Sequence, residues 1–321
     1  MQTIPDYIRQ WFRVIENMNT SATYKPAWGR AIVEICLEKE DVDLTISFDE
    51  ISNKILKYYW NQVFFFDLRQ NPKGKNTNAV ERIVRSMIQD YLTENEDQRP
   101  QYYERVEHKL KKNEKRFKRN IKKISSKLKE NVSHRFLNVN TEVMKLYVLD
   151  ENERLIYLIK DEVMYIKEYA FTLTQLFNFR WVMLLEKYNN APKIANKIKG
   201  EQEGINRGSL SKFRKILLES VDTLQPVDFY TGKILQDNDI SVDHVIPWSF
   251  IYSDDLWNLV LTSNSENSKK GRSIVSKEII NKLKQRNLEL IKKLNDTKYI
   301  DDLILAQENN YVEKFYRSLK G

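Results

Sequence analysis

Cysteine is almost missing from this chain: Cys36 is the single example among 321 residues. That scarcity excludes an internal disulfide framework and a zinc knuckle of paired cysteines, and it suits a reducing compartment. Histidine is nearly as rare, with three residues, which leaves little room for a multi-histidine metal site. Eight glycines and seven prolines are few for this length, so a turn-rich β architecture is disfavoured and a mainly helical chain is expected. No uninterrupted apolar run is long enough to span a bilayer, and MQTIPDYIRQWF carries an acid and no long apolar core, unlike a secretory signal. The expectation is a soluble, cytoplasmic protein with no membrane partner.

The material that is present suits a folded protein of two or three domains, with 41% hydrophobic and 12% aromatic residues. Lys and Arg number 53 against 45 Asp and Glu, a formal net charge of +8. This excess is modest overall, but it is concentrated in places, which points to a polyanionic partner.

Taken in order, Ile8, Trp11, Phe12 and Ile15, then Trp28, Ala31, Ile32 and Ile35, follow helical spacing on either side of SATYKP. DLTISFDEISNKILKYYW adds a short β-like LTISF and an amphipathic helix starting near Asp49. Helix, short strand, helix resembles a winged helix, and an ordinary helical bundle fits the same spacing. The loop 70–78 offers Lys73 and Lys75, next to Arg69, among several amides. Residues 109–129, KLKKNEKRFKRNIKKISSKLK, form the strongest charge feature: basic residues crowd both sides of a stripe made by Leu110, Phe117, Ile121, Ile124 and Leu128. The stripe suits core packing. Lys115, Arg116, Lys118, Arg119 and Lys122 are candidate contacts to a DNA backbone, because one acid, Glu114, among so many cations exceeds what solubility needs.

VMKLYVLDENERLIYLIK reads as a hairpin with Leu146, Val148, Ile156 and Leu158 available for one-sided burial. Residues 162–188 are apolar almost all round and suggest a buried central helix in one or two pieces. The tract 189–209, with Pro192, Gly200, Gly204 and Gly208, reads as a domain boundary. The expected organisation is α+β, mainly α with small β elements. It comprises a helical 1–105 with the winged-helix option, then 106–190 with basic helix, hairpin and buried helix. A linker at 191–209, a candidate catalytic unit at 210–285 and C-terminal helices at 286–321 follow.

The chemistry gathers in ISVDHVIPWSFIYSDDLWNLVLTSNSENSKKGR, residues 240–272. Asp243 and His244 end a β-branched run, Asn258 opens a second apolar run, and Asn267 lies in a polar segment with Lys269, Lys270 and Arg272. Strand, loop, strand, helix is the expected order. Adjacent side chains mid-strand point to opposite faces, so Asp243 and His244 share a site only if the backbone turns there, and Pro247 is consistent with an early strand end.

DHVIPWSF, NLVL and ENSKKG resemble the His-Asn-His/Asn (HNH) nuclease superfamily with its ββα-metal fold. Asn258 follows His244 by 14 residues and Asn267 follows Asn258 by 9, intervals similar to the HNH domain of RNA-guided CRISPR nucleases. The similarity covers about a tenth of the chain, and nothing resembles a guide-RNA-binding lobe or a second nuclease domain. The resemblance implies that His244 is the general base, that Asp243 and Asn267 are metal ligands, and that Asn258 holds the histidine-bearing loop. A neutral imidazole suits proton abstraction near pH 7. One carboxylate and one amide oxygen suit Mg²⁺ or Mn²⁺. Lys269, Lys270 and Arg272 would clamp phosphates.

Many members of that superfamily brace the fold with CxxC zinc ligands, whereas PVDFYTGKILQD here leaves Phe229, Tyr230 and Leu235 to supply packing, and no structural zinc is expected. Trp248 and Trp257 are expected to pack, His108 and His134 to be solvated or structural, and Asp254 and Asp255 to cap the next segment. The leading expectation is a metal-dependent DNA endonuclease of restriction or phage-defence type acting on double-stranded DNA, with a homodimer as one route to a double-strand break. A catalytically idle nucleic-acid-binding regulator and an RNA- or structure-specific nuclease stay open beside it.

Overall fold

In a computed structural model of the chain, residues 4–40, 45–72, 76–189, 191–198, 209–221, 225–294 and 297–320 are described. Lys73, Lys75, Gly200, Gly204 and Gly208, singled out above, lie outside them. Contacts divide the chain into two compact units, Met1–Asn189 with Ile194–Gly200, and Asn190–Lys193 with Glu201–Gly321. The fold is mainly α with small β elements.

The first unit contains α1 (Asp6–Asn17), α2 (Tyr24–Glu38), β1 (Thr45–Ser47), α3 (Phe48–Trp60), α4 (Ala79–Glu94), α5 (Tyr103–Lys111) and α6 (Glu114–Leu128). After these come α7 (His134–Phe136), the short β2 (Asn138–Val139) and β3 (Glu142–Val143), β4 (Tyr147–Asp150), β5 (Leu155–Leu158), α8 (Val163–Glu168), α9 (Ala170–Tyr188) and α10 (Ile194–Ile198). The apolar spacing of the first two helices is realised as burial of Ile8, Trp11 and Ile15 on α1 and of Trp28, Ala31, Ile32 and Ile35 on α2. α2 and α9 come so close at Gly29 that an added Cβ would lie 2.2 Å from the Phe177 ring. A glycine inside a helix costs about 0.5–1 kcal/mol relative to alanine, and here the Phe136 and Phe177 rings leave no room for a side chain at Gly29.

α3 starts at Phe48 behind a Ser47–Glu50 capping box and runs into a π-helical turn, Asn61–Phe65. The segment that resembled a winged helix therefore continues as helix where a wing hairpin would follow. Its strand β1 pairs antiparallel with β5, more than a hundred residues later, giving the sheet order β1-β5-β4. The winged helix is not confirmed.

The hairpin β4–β5 pairs Tyr147 with Leu158 and Leu149 with Ile156. Leu146, Ile156 and Leu158 are buried as expected, but Val148 is 64% exposed and Tyr147 is buried in its place. Leu146 precedes the strand, so its burial does not set the strand's alternation. The basic stretch is two helices, broken where Asn113 caps α6 by accepting from the Arg116 N–H at 3.0 Å; the stripe Leu110, Phe117, Ile121, Ile124 and Leu128 is buried. Residues 162–188 form two helices, α8 and α9. Leu173, Phe177 and Trp181 are buried, whereas Met164, Phe171 and Phe179 are exposed, which corrects the expectation of burial on all sides.

The second unit holds α11 (Ser211–Glu219), β6 (Ile240–His244), α12 (Trp248–Ile251), β7 (Leu259–Ser263), α13 (Asn264–Lys270), α14 (Lys277–Lys293), α15 (Thr297–Glu308) and α16 (Tyr311–Lys320). The chain breaks between α15 and α16 at Asn310, whose φ is 51°. The core of this unit gathers Val245, Ile246, Phe250, Leu259 and Leu261 with Ile280, Leu283 and Leu290 of α14 and Phe315 of α16. Full burial of such side chains contributes about 1.5–3 kcal/mol each before entropy, so the two short strands are held by helices more than by their own ladder. Among the described residues no helix is long and apolar enough to cross a membrane.

Candidate active site

β6 and β7 pair antiparallel with Asp243 opposite Val260 and His244 opposite Leu259, and α13 follows β7 directly. The strand, strand, helix order is thus realised. Within β6, Ser241 and Asp243 lie two residues apart and share a face, and α13 lies against that face. Asn267 Nδ2 donates to Ser241 Oγ at 2.8 Å. One helical turn on, Lys270 Nζ forms an ion pair with Asp243 Oδ2 at 3.0 Å and donates to the His244 carbonyl at 2.8 Å. Tyr230 hydroxyl donates to the same Asp243 oxygen at 2.6 Å. Burial, then the adjacent Asp243 carboxylate, hold the Tyr230 hydroxyl well above the usual phenol range, so it remains a donor.

His244 is the last residue of β6 and 3% exposed. Its Nε2 lies 2.8 Å from Asp254 Oδ1. An ionised carboxylate only accepts, so Nε2 carries the proton and the lone pair of the neutral ring falls on Nδ1. Asp254 is therefore an orienting partner that the sequence pattern did not single out. The expectation that Asp254 and Asp255 cap the next segment is corrected: Asp255 occupies the N-cap position of the short 3-10 helix Leu256–Asn258 without a side-chain cap bond, and its carboxylate accepts from Ser253 Oγ at 2.5 Å. The loop carrying Asp254 turns at Tyr252, whose φ of 59° is left-handed.

Asn258 is fully buried. Its Oδ1 accepts from the Ile246 N–H at 2.8 Å, its Nδ2 donates to the Ile246 carbonyl at 2.8 Å, and its own carbonyl accepts from the Val245 N–H at 2.9 Å. These bonds extend the ladder past His244 and fix the turn after it. Behind them, Asn287 Nδ2 donates to the Trp257 carbonyl at 2.9 Å, and Arg286 donates to the Leu256 carbonyl at 3.3 Å. Burial lowers the Arg286 guanidinium to about 9.

Asp228 supplies the other brace. Its Oδ1 accepts from the N–H groups of Tyr230 and Thr231, both at 2.9 Å, and its Oδ2 from Thr262 Oγ1 and the Ser263 N–H, both at 2.8 Å. Burial alone would raise this carboxyl, yet these bonds hold it down at about 2. Phe229 and Leu235 are buried as expected for packing residues, but Tyr230 bonds Asp243 and Asp228 ties the segment to β7. An acid two residues before Tyr230 carried no spacing signal.

The fold family implies a divalent ion, and the donor set fits one. With Asp243 Oδ2 and Asn267 Nδ2 engaged, Asp243 Oδ1 and Asn267 Oδ1 have no hydrogen-bond partner among the described residues. A free carboxylate oxygen and a free amide oxygen are hard donors of the kind a divalent ion takes. Among the described residues no cluster of three or more His, Cys, Asp or Glu forms a closed metal cage. Of the expected phosphate clamps, Lys269 is solvent-facing beside Glu266, Lys270 is turned inward onto Asp243, and Arg272 Nε donates to Ser249 Oγ at 3.0 Å. On α6, Arg116 is engaged bidentately with Glu94 and Lys118 with Glu114, while Lys115, Arg119 and Lys122 are exposed. His134 faces Glu151 at 3.4 Å.

Residues 228–276 match the family model described as HNH endonuclease, and residues 7–201 match the one described as Domain of unknown function (DUF8808). The CRISPR-associated endonuclease Cas9 of Streptococcus mutans serotype c is 33% identical over 90 residues, 27% of this chain and 7% of that protein. The CRISPR-associated endonuclease Cas9 of Listeria innocua serovar 6a is 42% identical over 60 residues, 18% of this chain and 4% of that protein. The chain thus spans less than a tenth of the length of these relatives. No solved structure matches. With more than half of its residues inside the longer match, the chain belongs to the family described as Domain of unknown function (DUF8808), and its C-terminal segment makes it a member of the HNH endonuclease superfamily.

Proposed function

We propose that the protein is a divalent-metal-dependent DNA endonuclease of restriction or phage-defence type that hydrolyses phosphodiester bonds. The observation carrying this reading is the His244–Asp254 pair, which leaves the lone pair of Nδ1 for a proton, at the strand end that also carries Asp243, with Asn267 of α13 bonded to Ser241 of the same strand. His244 takes a proton from the attacking water, and the Asp254 carboxylate stabilises the imidazolium that forms. Asp243 and Asn267 would hold Mg²⁺ or Mn²⁺ through their open oxygens. When bound, such an ion neutralises charge at the scissile phosphate and on the departing 3′ oxygen. Asn258 keeps the turn after His244 in register. Lys269 and Arg272 approach the phosphate from α13 and its C-terminal turn, and the outer face of α6, Lys115 to Lys122, contacts the backbone elsewhere on the substrate.

One site of this kind cuts one strand, so a double-strand break takes a homodimer or two successive events. The reducing cytoplasm, where foreign DNA arrives, is the working compartment under this reading. The test is incubation with Mg²⁺ on modified and unmodified plasmid and phage DNA, with a structured RNA alongside and His244→Ala as control, followed by sequencing of the ends. Cutting of DNA by the parent alone is expected. Cutting of RNA alone, or equal cutting by the variant, refutes the proposal.

A further inference from the structure

α6 presents three faces. Phe117, Ile121, Ile124 and Leu128 enter the core; Lys115, Lys118, Arg119 and Lys122 face outward; Arg116, Asn120, Lys123 and Lys127, spaced three or four apart, turn towards α4. Between α4 and α6 lies an open groove of about 330 Å³ lined by Arg82, Ile83, Ser86, Asn120, Lys123 and Lys127. No carboxylate lines it.

The groups in this groove differ from ordinary surface charge. Arg116, on the face towards α4 but outside the groove, is spent on Glu94, and Lys118 of the outward face on Glu114. Arg82 and Lys123 have no ion-pair or side-chain hydrogen-bond partner among the described residues, and Lys127 alone is shared, with Glu130 at 2.7 Å. Asn120 is 9% exposed, yet its amide has no hydrogen-bond partner among the described residues. The Asn120 side chain opens onto the groove beside the cations, where its amide N–H is available to a ligand. An anion can accept from Asn120 Nδ2, Arg82 and Lys123 together.

The layout selects a repeating anion. Arg82 and Ser86 stand one turn apart on α4, and Lys123 and Lys127 one turn apart on α6, each pair separated by about 6 Å along its helix. Two rows of donors match successive phosphates of one strand better than a single phosphate. Phosphate contacts of nucleic-acid-binding proteins come from this same set of Arg, Lys, Ser and Asn. We propose that the α4–α6 groove is a dedicated binding site for the phosphodiester backbone of DNA. This rests on the nucleic-acid substrate of the preceding section and is distinct from the outer face of α6.

The test uses the full chain carrying His244→Ala and a fluorescein-labelled DNA duplex, with anisotropy titrations between about 50 and 200 mM salt. Arg82→Gln with Lys123→Gln is expected to weaken binding at least about tenfold and to reduce the slope of log K against log salt by about 2. Arg82→Lys with Lys123→Arg keeps both charges and is expected to keep the slope, which separates charge loss from misfolding, and melting temperatures of all variants are compared with the parent. An unchanged slope in the double Gln variant overturns the site. So does an effect no larger than that of Lys115→Gln with Lys122→Gln, which reduces the groove to general surface charge. Saturable binding of a nucleoside monophosphate, lost in the Gln variant while duplex binding stands, overturns the backbone assignment in favour of a small phosphate ligand. Failure of the nuclease reading looks different: with His244 intact the chain would not cut DNA in Mg²⁺, while the groove variant would still weaken binding.

Discussion

Replacing Asp254 by Asn tests the geometry around His244 most finely. The substitution keeps the size of the side chain and a carbonyl oxygen that can still accept from Nε2, and it removes the charge. Two unit charges about 4 Å apart at an effective dielectric near 20 attract by about 4 kcal/mol. Asp254 is only partly buried, with its side chain 21% exposed, so about 2–4 kcal/mol of imidazolium stabilisation is at stake. If that stabilisation acts in the transition state, single-turnover cleavage at saturating DNA slows by about 30-fold to 10³-fold. DNA affinity and melting temperature stay near the parent's, because the amide keeps the hydrogen bond to His244 and the charge removed is partly exposed. A variant cutting at the parental rate would show that the pair is merely structural. A loss appearing only as weaker DNA binding would place Asp254 on the substrate surface.

Asp228 and Lys270 give two further tests. A carboxyl held at about 2, against about 3.9 unfolded, contributes about 2–3 kcal/mol above the unfolded value and loses it as pH falls through 2. Asp228→Asn should therefore lower urea stability by about that much at neutral pH, with the gap to the parent closing between about pH 4 and pH 2; a gap independent of pH contradicts the hydrogen-bond account. Lys270→Met removes the ammonium from Asp243, and since a charged hydrogen bond contributes roughly 1.5–3 kcal/mol, Mn²⁺ should bind about 10-fold to 100-fold more tightly in a paramagnetic titration. Equal or weaker binding would show that Lys270 does not compete for the carboxylate.

Much of the site could be read from the chain because its parts are local. Asp243 and His244 close the first strand, Asn258 immediately precedes the second and Asn267 lies on the next helix, so the strand, strand, helix order was legible from the residue pattern. The supporting groups were illegible for a physical reason. Asp254 bonds to His244 through a loop whose path depends on a left-handed Tyr252, Asp228 reaches Thr262 and Ser263 across more than thirty residues, and Arg286 and Asn287 come from α14. None of these leaves a periodic trace. The inward turn of Lys270 was equally hidden, since spacing on α13 places it near Asn267 but cannot say that Asp243 faces it.

In the first unit, apolar period predicted helices well wherever one face was buried. It misjudged α9, where Phe171 and Phe179 are apolar yet exposed, because hydrophobicity records only what a side chain tolerates. The pairing of β1 with β5 had no local signal at all, and a three-residue strand read beside its neighbouring helices looked like part of a winged helix. At α6 the stripe was right, while the helix start depended on one cap, Asn113.

The central claim is that His244 makes the nucleophile at a metal-supported phosphodiester site. The most direct measurement is single-turnover cleavage of labelled duplex DNA in Mg²⁺ by the parent and His244→Ala, at matched DNA occupancy. Cleavage by the parent and its loss in the variant, with binding and melting temperature retained, is the predicted result; equal rates in the two proteins would contradict it.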